Sequence, residues 1–211
     1  MYEKSQTHKN LALFDFDGTL CNKDSFTLFF FYALSKRHII KRGIATLPWI
    51  IGYYAQLYPA HLMRPKLFQK MLKHIPIAIL DPIAKEYANY LIEHHLNPQL
   101  YQQLKNHQAL GDDVVLVSAS IDIYLQYIAQ NLDIDLICST TEIKNQYYTG
   151  RFASPDCSHQ QKKIRVLAKY NLAKYQAIYA YGNSHEDLAM LSLAHFPYLH
   201  GKCPLPLPDI N

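Results

Sequence analysis

Five short apolar runs punctuate the chain: Leu11–Phe14, Asp113–Val117, Leu136–Cys138, Ile178–Tyr181 and Phe196–Leu199. Runs this short, bounded by turn residues, read as strands buried on both faces of a parallel sheet. Helical patterns lie between them. Pro98–Gln108 is one, closed by Gly111; Ile121–Asn131, Gln160–Tyr170 and Glu186–Ala194 are the others. Strand and helix in alternation predict an α/β fold, a doubly wound and mostly parallel sheet. Glu142–Arg151 reads as a β-hairpin or an extension of the sheet edge. After Gly201 the tail carries Pro204, Pro206 and Pro208 and is expected to lie extended.

The stretch from 22 to 96 breaks this alternation. Phe26–Leu34 is too apolar for a surface helix, and Lys36, Arg37, Lys41 and Arg42 follow it. Ile44–Ala60 is apolar and aromatic but interrupted by Pro48, Gly52 and Pro59. Leu67–Ile75 and Ile83–Leu96 read as helices, with Asp81-Pro82 as the start signal of the second. The segment is a helical insertion, 22–96, in a core made of 1–21 and 97–211. It holds 10 Lys/Arg against 4 Asp/Glu, whereas the rest of the chain is slightly acidic. Its apolar stretches have two readings: the insertion's own core, or a peripheral membrane contact beside anionic headgroups.

With 211 residues, 49% of them hydrophobic, the chain makes one domain, or one domain with a sizeable insertion. A net charge of +4 does not point to nucleic acid, and no protein partner is implied. Cys21, Cys138, Cys157 and Cys203 form no CxxC pair and have no zinc-site spacing, which suits unpaired thiols in a reducing compartment. Met1–Asn10 is polar and lacks the apolar stretch of a signal peptide. No apolar run reaches the roughly 18 residues of a membrane span. A cytoplasmic protein is expected, with the inner face of the membrane as the alternative place.

The candidate chemistry begins where the first strand ends. Asp15, Phe16, Asp17, Gly18 and Thr19 follow the apolar run directly. Open α/β sheets bind ligands at the carboxyl ends of their strands. In an extended segment the two aspartates share a side and repel each other. A divalent cation or a shared proton relieves that, and Mg²⁺ takes oxygen ligands from one or two carboxylates plus phosphate and water. A turn with two solvated aspartates is the plain alternative. Three further sites fall at strand ends or helix starts. Ser118 follows the second strand; with the next N–H groups it can hold a phosphate oxygen, or it is a helix N-cap. Lys162 and Lys163 open a helix, where an ammonium offsets crowded negative charge or is simply solvated. Gly182-Asn183-Ser184-His185-Glu186-Asp187 follows the fourth strand, with His185 read as an exposed helix-start residue.

Taken together, these stretches resemble the four motifs of the haloacid dehalogenase superfamily, in family order. The resemblance implies a Rossmann-like core with a helical cap in the C1 position, 22–96, that closes over the site. It implies Asp15 as the nucleophile that forms an aspartyl-phosphate and Asp17 as the acid and base. Superfamily dehalogenases lack the second aspartate, so phosphate ester hydrolysis or phosphoryl transfer is favoured. Gly18, Thr19, Ser118 and the N–H of Ala119 would bind phosphate. A lysine would join them: Lys162 by its spacing from Cys157, or Lys163 by the helix's apolar positions. His159 stands where the closest subgroup has glycine. Asp15, Asp17 through its backbone carbonyl, and Asn183 would hold Mg²⁺, with Asp187 in support. Asn183 replaces the family's aspartate, and weaker metal binding is expected. The stretches Val117–Leu125 and Ala180–Ser184 are similar to the IB hydrolases, the phosphoserine phosphatase-like group; the cap is more loosely similar to the phosphatidylglycerophosphatase C type. The implied function is a Mg²⁺-dependent phosphomonoesterase acting on a small phosphorylated metabolite. A lipid phosphate is the alternative substrate. A phosphotransferase and a non-catalytic phospholigand-binding module are the remaining alternatives.

Overall fold

A computed structural model describes residues 9–37, 48–49, 51–52, 55, 57, 60–202 and 204–206. Most of the Ile44–Ala60 stretch, the basic residues Lys41 and Arg42, Cys203 and Pro208 lie outside the described residues. Five parallel strands form the sheet: β1 (Leu11–Phe14), β2 (Asp113–Ile121), β3 (Asp135–Ser139), β6 (Ile178–Gly182) and β7 (Phe196–Leu199), in the order β3-β2-β1-β6-β7. A separate antiparallel hairpin is built from β4 (Thr141–Lys144) and β5 (Tyr147–Phe152). Of the two readings of this segment, the hairpin is the one found; it does not extend the sheet edge.

The strands are apolar throughout because both faces are covered. Ala12 and Phe14 of β1, Val114 and Leu116 of β2, and Tyr179 and Tyr181 of β6 face one core. There they meet α4 (Pro98–Ala109) and α5 (Asp122–Leu132). Leu11, Leu13, Val115, Val117, Ile178 and Ala180 alternate onto the other face, against α6 (Gln160–Lys169) and α7 (Leu188–Leu191). Period-two alternation fixes the register, since a one-residue slip would exchange the two faces. Phe14 consequently lies level with Leu116 on one side and Tyr181 on the other. From β1 the chain builds β2 and β3 outward, then crosses to β6 and β7 on the far side. The order reverses at β1, which places the crevice at its carboxyl end.

The inserted segment is helical: α1 (Ser25–Arg37), α2 (Ala60–Leu72) and α3 (Ile77–His95). Asp24 caps α1, its carboxylate accepting from the Thr27 N–H at 3.0 Å. Phe26, Phe29 and Phe30 of this helix are buried with Tyr87 of α3 and Tyr124 of α5 in the larger core. These phenylalanines account for much of the apolar character of the Phe26–Leu34 run, although Phe31 is exposed.

Three expectations about helix ends are corrected. Asp81-Pro82 does not start a helix; α3 starts at Ile77, after the extended Pro76, and Pro82 lies within it. A proline this near the start interrupts only one early backbone bond. The helix expected to run to Ile75 stops at Leu72, and His74 takes a left-handed conformation (φ 65°). The chain leaves the helix there to bond to the hairpin: His74 N–H donates to Tyr148 O, Tyr148 N–H to Ile75 O, and Ile77 N–H to Gln146 O. The helix expected over Glu186–Ala194 is a 3₁₀ turn, His185–Asp187, followed by the four-residue α7. Asp187, rather than lying on a regular helix, folds its side chain back onto the backbone before it.

A buried polar chain braces the end of β6. His107 of α4 is fully buried, with Nδ1 2.7 Å from Asp112 and Nε2 2.8 Å from the Tyr181 hydroxyl. Gln103 donates to the same hydroxyl at 3.0 Å. Burial pulls the pKa of His107 below its ordinary 6.5, against the pull of Asp112. Its contribution to stability is therefore present above 6.5 and is lost as the pH falls below that value toward the folded pKa. Between pH 7.5 and 5, urea titrations are expected to show a flatter stability slope in His107→Gln than in the parent, by at most about 1.4 kcal/mol per pH unit. Parallel slopes would mean that folding leaves the proton affinity of His107 unchanged.

Candidate active site

Asp15 follows the last residue of β1 and is buried, 5% exposed. Its two oxygens are separately held. Oδ1 accepts from Lys162 Nζ at 2.6 Å and Oδ2 from the Thr19 hydroxyl at 2.7 Å. Lys162 comes from the first turn of α6 and is 1% exposed. Its ammonium also reaches Asp187 Oδ1, at 2.6 Å. The other oxygen of Asp187 accepts from the N–H groups of Asn183 and Ser184, each at 3.0 Å. The end of β1, the turn after β6 and one helix start thus meet around one ammonium. Lys163, by contrast, is half-buried and donates to Ser192, away from these acids.

Asp17 is oriented differently. The strand ends at Phe14, so the extended geometry that would set Asp15 and Asp17 side by side does not persist. Asp17 Oδ1 accepts from the Ser25 N–H at 2.6 Å, and Oδ2 accepts from the Ser120 hydroxyl. The expected repulsion between Asp15 and Asp17 is corrected accordingly. The leading like-charge neighbour of Asp15 is Asp187; that of Asp17 is Asp24.

The electrostatics follow from burial. Burial lifts Asp15 to about 7 even though Lys162 pulls it down. Asp17 is lifted to about 6, by burial first and Asp24 second. Burial would raise Asp187 too, but Lys162 and the amides of Ser184 and Asn183 outweigh it and hold it below the usual carboxylate range. Lys162 is held firmly protonated; Asp15 and Asp187 overcome the opposing effect of burial. One shared cation cannot fully ionise several buried acids.

Ser118 is 1% exposed at the carboxyl end of β2. It was expected at a helix start, but α5 begins four residues later, at Asp122. The β2–β3 register shifts between Ser118 and Ile121, an irregularity that redirects side chains within a strand. The Ser120 N–H donates to the Ser118 hydroxyl oxygen at 3.0 Å. Ala119 lies between them, 7% exposed. Gly18 and Thr19 lie beside Asp15, but their N–H groups already donate to Cys21 O and Phe16 O. Gly18 is required on two counts: its φ is +77°, and an added Cβ would fall 1.9 Å from the Asn183 amide nitrogen. Gly182 has the second count alone, since a Cβ there would meet the Asp187 side chain at 2.6 Å. His159, where glycine was noted as usual, accepts a left-handed φ of 49°; its ring lies 5.2 Å from that of the exposed His185.

Among the described residues, no three His, Cys, Asp or Glu side chains cluster as a metal site. A cation at these strand ends would draw on oxygens of Asp15, of the Asn183 amide, which packs against Gly18, and of the Asp17 backbone carbonyl. Such hard, partly neutral donors suit Mg²⁺. Sequence reasoning missed four polar residues here: Ser25, Ser120, Arg64 and Glu186. Ser120 had a signal, since period two puts it on the face of Ser118.

This arrangement has counterparts among known proteins. The haloacid dehalogenase-like hydrolase family matches residues 12–192. The chain belongs to that family. It is a phosphatase-like hydrolase with the α/β fold of the family. Protein CicA of Caulobacter vibrioides is 27% identical over 187 residues, covering 87% of this chain and 82% of that protein. A histidinol-phosphatase of Neisseria meningitidis is 25% identical over 203 residues, covering 90% and 89%. A crystal structure of a protein of unknown function from Bordetella pertussis superposes with a TM-score of 0.75 at 25% identity, covering 89% and 87%. A substrate-bound phosphoserine phosphatase shares the fold at a TM-score of 0.59 and 20% identity, covering 91% and 84%.

The two lysines are separable by mutation. Replacing Lys162 with Met is expected to lower hydrolytic turnover about 10²–10³-fold, the cost of losing one preorganised charge at a reacting group. Lys163→Met is expected to stay within about twofold of the parent, as for other positions away from the reacting groups. Steady-state rates on one phosphate ester decide it; a larger loss for Lys163→Met would reassign the role.

Proposed function

We propose that this hydrolase is a Mg²⁺-dependent phosphomonoesterase working through an aspartyl-phosphate on Asp15, with a small phosphorylated metabolite as substrate. The observation that carries the reading is the convergence of Asp15, Lys162 and Asp187 at one strand end, with Asp17 held apart by Ser25 and Ser120. The histidinol-phosphatase relative supports the same class of reaction.

In the first half-reaction a carboxylate oxygen of Asp15 attacks phosphorus, and the bond from phosphorus to the leaving oxygen breaks. Asp17, protonated, gives its proton to that oxygen and the alcohol departs. In the second, water attacks the phosphorus of the aspartyl-phosphate and passes its proton to Asp17. The Asp15–phosphorus bond breaks, inorganic phosphate leaves, and both acids return to their starting states. A carboxyl group with its pKa near 6 serves both transfers at neutral pH. Lys162, Ser118 and the Ala119 N–H grip the phosphoryl oxygens. Gly18 and Thr19 close the turn and fix Asp15, their own donors being spent on the protein. Bound Mg²⁺, held by Asp15, Asn183 and the Asp17 carbonyl, would keep Asp15 anionic and offset the phosphoryl charge. Residues 22–96 act as the cap that excludes water and selects the leaving group.

Two experiments test this. Asp15→Asn is expected to bring Mg²⁺-dependent release of phosphate from an aryl phosphate down to background while the circular dichroism spectrum of the folded protein is retained; undiminished release refutes the nucleophile. Asn183→Asp is expected to lower the Mg²⁺ concentration for half-maximal activity, because it adds a charged ligand. A rise would remove Asn183 from the metal site. A panel of histidinol phosphate, phosphoserine and phosphatidylglycerophosphate in vesicles identifies the substrate class.

A further inference from the structure

Arg64 lies on α2, 122 residues before one partner and 92 before the other. Its guanidinium is a fork between two chain segments. Nη1 donates to Asp156 Oδ2 at 2.9 Å and Nη2 to Glu186 Oε2 at 2.8 Å. Glu186 sits beside Asp187, inside the turn that also carries Asn183. Asp156 belongs to the loop that leads through His159 into Lys162.

We propose that Arg64 is a positioning residue: from the inserted helices it sets the spacing between the 183–187 turn and the 154–157 loop, so that docking of α2 and alignment of Asp187, Asn183 and Lys162 are one event. The proposal rests on the phosphatase reading for its purpose, but not for its geometry.

Three observations carry it. First, the triad is buried, with side-chain exposures of 13% for Arg64, 7% for Asp156 and 15% for Glu186. Buried ion pairs add little net stability, because desolvation consumes most of the attraction. Second, the triad is poorly built for stability. One cation meets two anions, and Asp156 Oδ1 is buried with no hydrogen-bond partner among the described residues. A carboxylate oxygen in that state adds nothing to the stability of the pair. Third, the 154–157 loop is already secured from the core. Arg165 donates to Cys138 O at 2.6 Å, to Ser154 Oγ at 2.8 Å and to Pro155 O, and the Cys157 N–H donates to Ser139 Oγ at 2.9 Å. The 183–187 turn is closed by its own Ser184 and Asp187. Neither segment needs Arg64 in order to form. What Arg64 adds is their position relative to each other and to α2. Coupling of this kind is reciprocal: whatever orders the strand-end site also favours docking of the helix.

The test begins with metal-free protein. The N–H groups of Asn183 and Ser184, which donate to Asp187, are the reporters. Amide hydrogen exchange is followed in the parent, in Arg64→Met, in Arg64→Lys, and in the neutral triple Arg64→Met/Asp156→Asn/Glu186→Gln. The triple leaves no uncompensated buried charge and carries the test if Arg64→Met does not fold. Exchange at 183–187 and in α2 is expected to accelerate by about tenfold in Arg64→Met and in the triple. In Arg64→Lys it should accelerate less, since lysine supplies one point charge in place of a fork. Core amides of β1 and β2 should keep their protection. The Mg²⁺ concentration that half-maximally raises the melting temperature should rise by a similar factor. Unchanged exchange and unchanged Mg²⁺ dependence in the triple would overturn the proposal. If the parent releases no phosphate from any ester while the exchange pattern is as expected, the phosphatase reading fails and the positioning role stands. If the parent is active and the exchange does not move, the positioning role fails alone.

Discussion

Lys162 Nζ stands between two carboxylates, 2.6 Å from Asp15 and 2.6 Å from Asp187, with almost no access to water. Much of the site's architecture is a consequence of that contact. A buried ammonium is costly by itself, and so is each buried acid. They are tolerable together because the geometry is close and the spare oxygens are satisfied, by Thr19 on Asp15 and by two backbone amides on Asp187. The compensation is incomplete. Asp15, Asp17 and Asp187 outnumber the single lysine, which is why burial still lifts the first two toward neutrality. A phosphate ester would add further negative charge to the same strand ends. On the proposed reading, the divalent cation closes that imbalance, and the donors left to it are the ones the lysine does not use.

The sheet makes this contact possible. Asp15, Ser118 and Gly182 belong to three neighbouring strands whose register puts Phe14, Leu116 and Tyr181 in one row. Asp15 and Gly182 come directly after that row, and Ser118 one residue further along its strand. Side chains buried on alternate faces hold that row, and the His107–Tyr181–Gln103 chain braces it from α4. Lys162 arrives from a helix outside the sheet, and it is held in place because Val166, one turn later on α6, is buried against the second core. Fold and site are linked at that point: the apolar face of α6 decides where the ammonium ends up.

This explains what was legible in the chain. Strands buried on both faces advertise themselves as short apolar runs, so Leu11–Phe14 and Ile178–Tyr181 could be placed closely. The acids at their ends could be placed with them. Lys162 was accessible through its spacing from Cys157, whereas the apolar pattern of the helix suggested Lys163. That pattern misled because Ile164 and Leu167 are exposed, 52% and 48%, and do not mark the buried face. Helix ends were harder. Pro65 and Pro82 lie inside helices, each one turn or more past the start, where a proline reads as a break or a beginning. Arg64, Asp156 and Glu186 were invisible for another reason. Their pairing joins segments far apart in sequence, and nothing periodic marks a polar residue that will be buried by a partner from elsewhere.

Asn183 brings these threads together. Its amide lies over Gly18 in a space that only glycine leaves open. An aspartate at that position would put another carboxylate beside a strand end where Asp15, Asp17 and Asp187 already exceed their cation. Without metal, that charge would push the neighbouring acids further toward protonation and strain the Lys162 contact. A neutral amide removes the repulsion; on the proposed reading it also keeps an oxygen donor, at the expense of metal affinity. Arg64 bears on the same balance from the other side. By engaging Glu186 it keeps one more carboxylate, a residue away from Asp187, from adding uncompensated charge to the turn. The two features hold down the charge at the edges of a site whose central ammonium does not fully compensate its acids, and on the proposed reading the cation supplies the remainder.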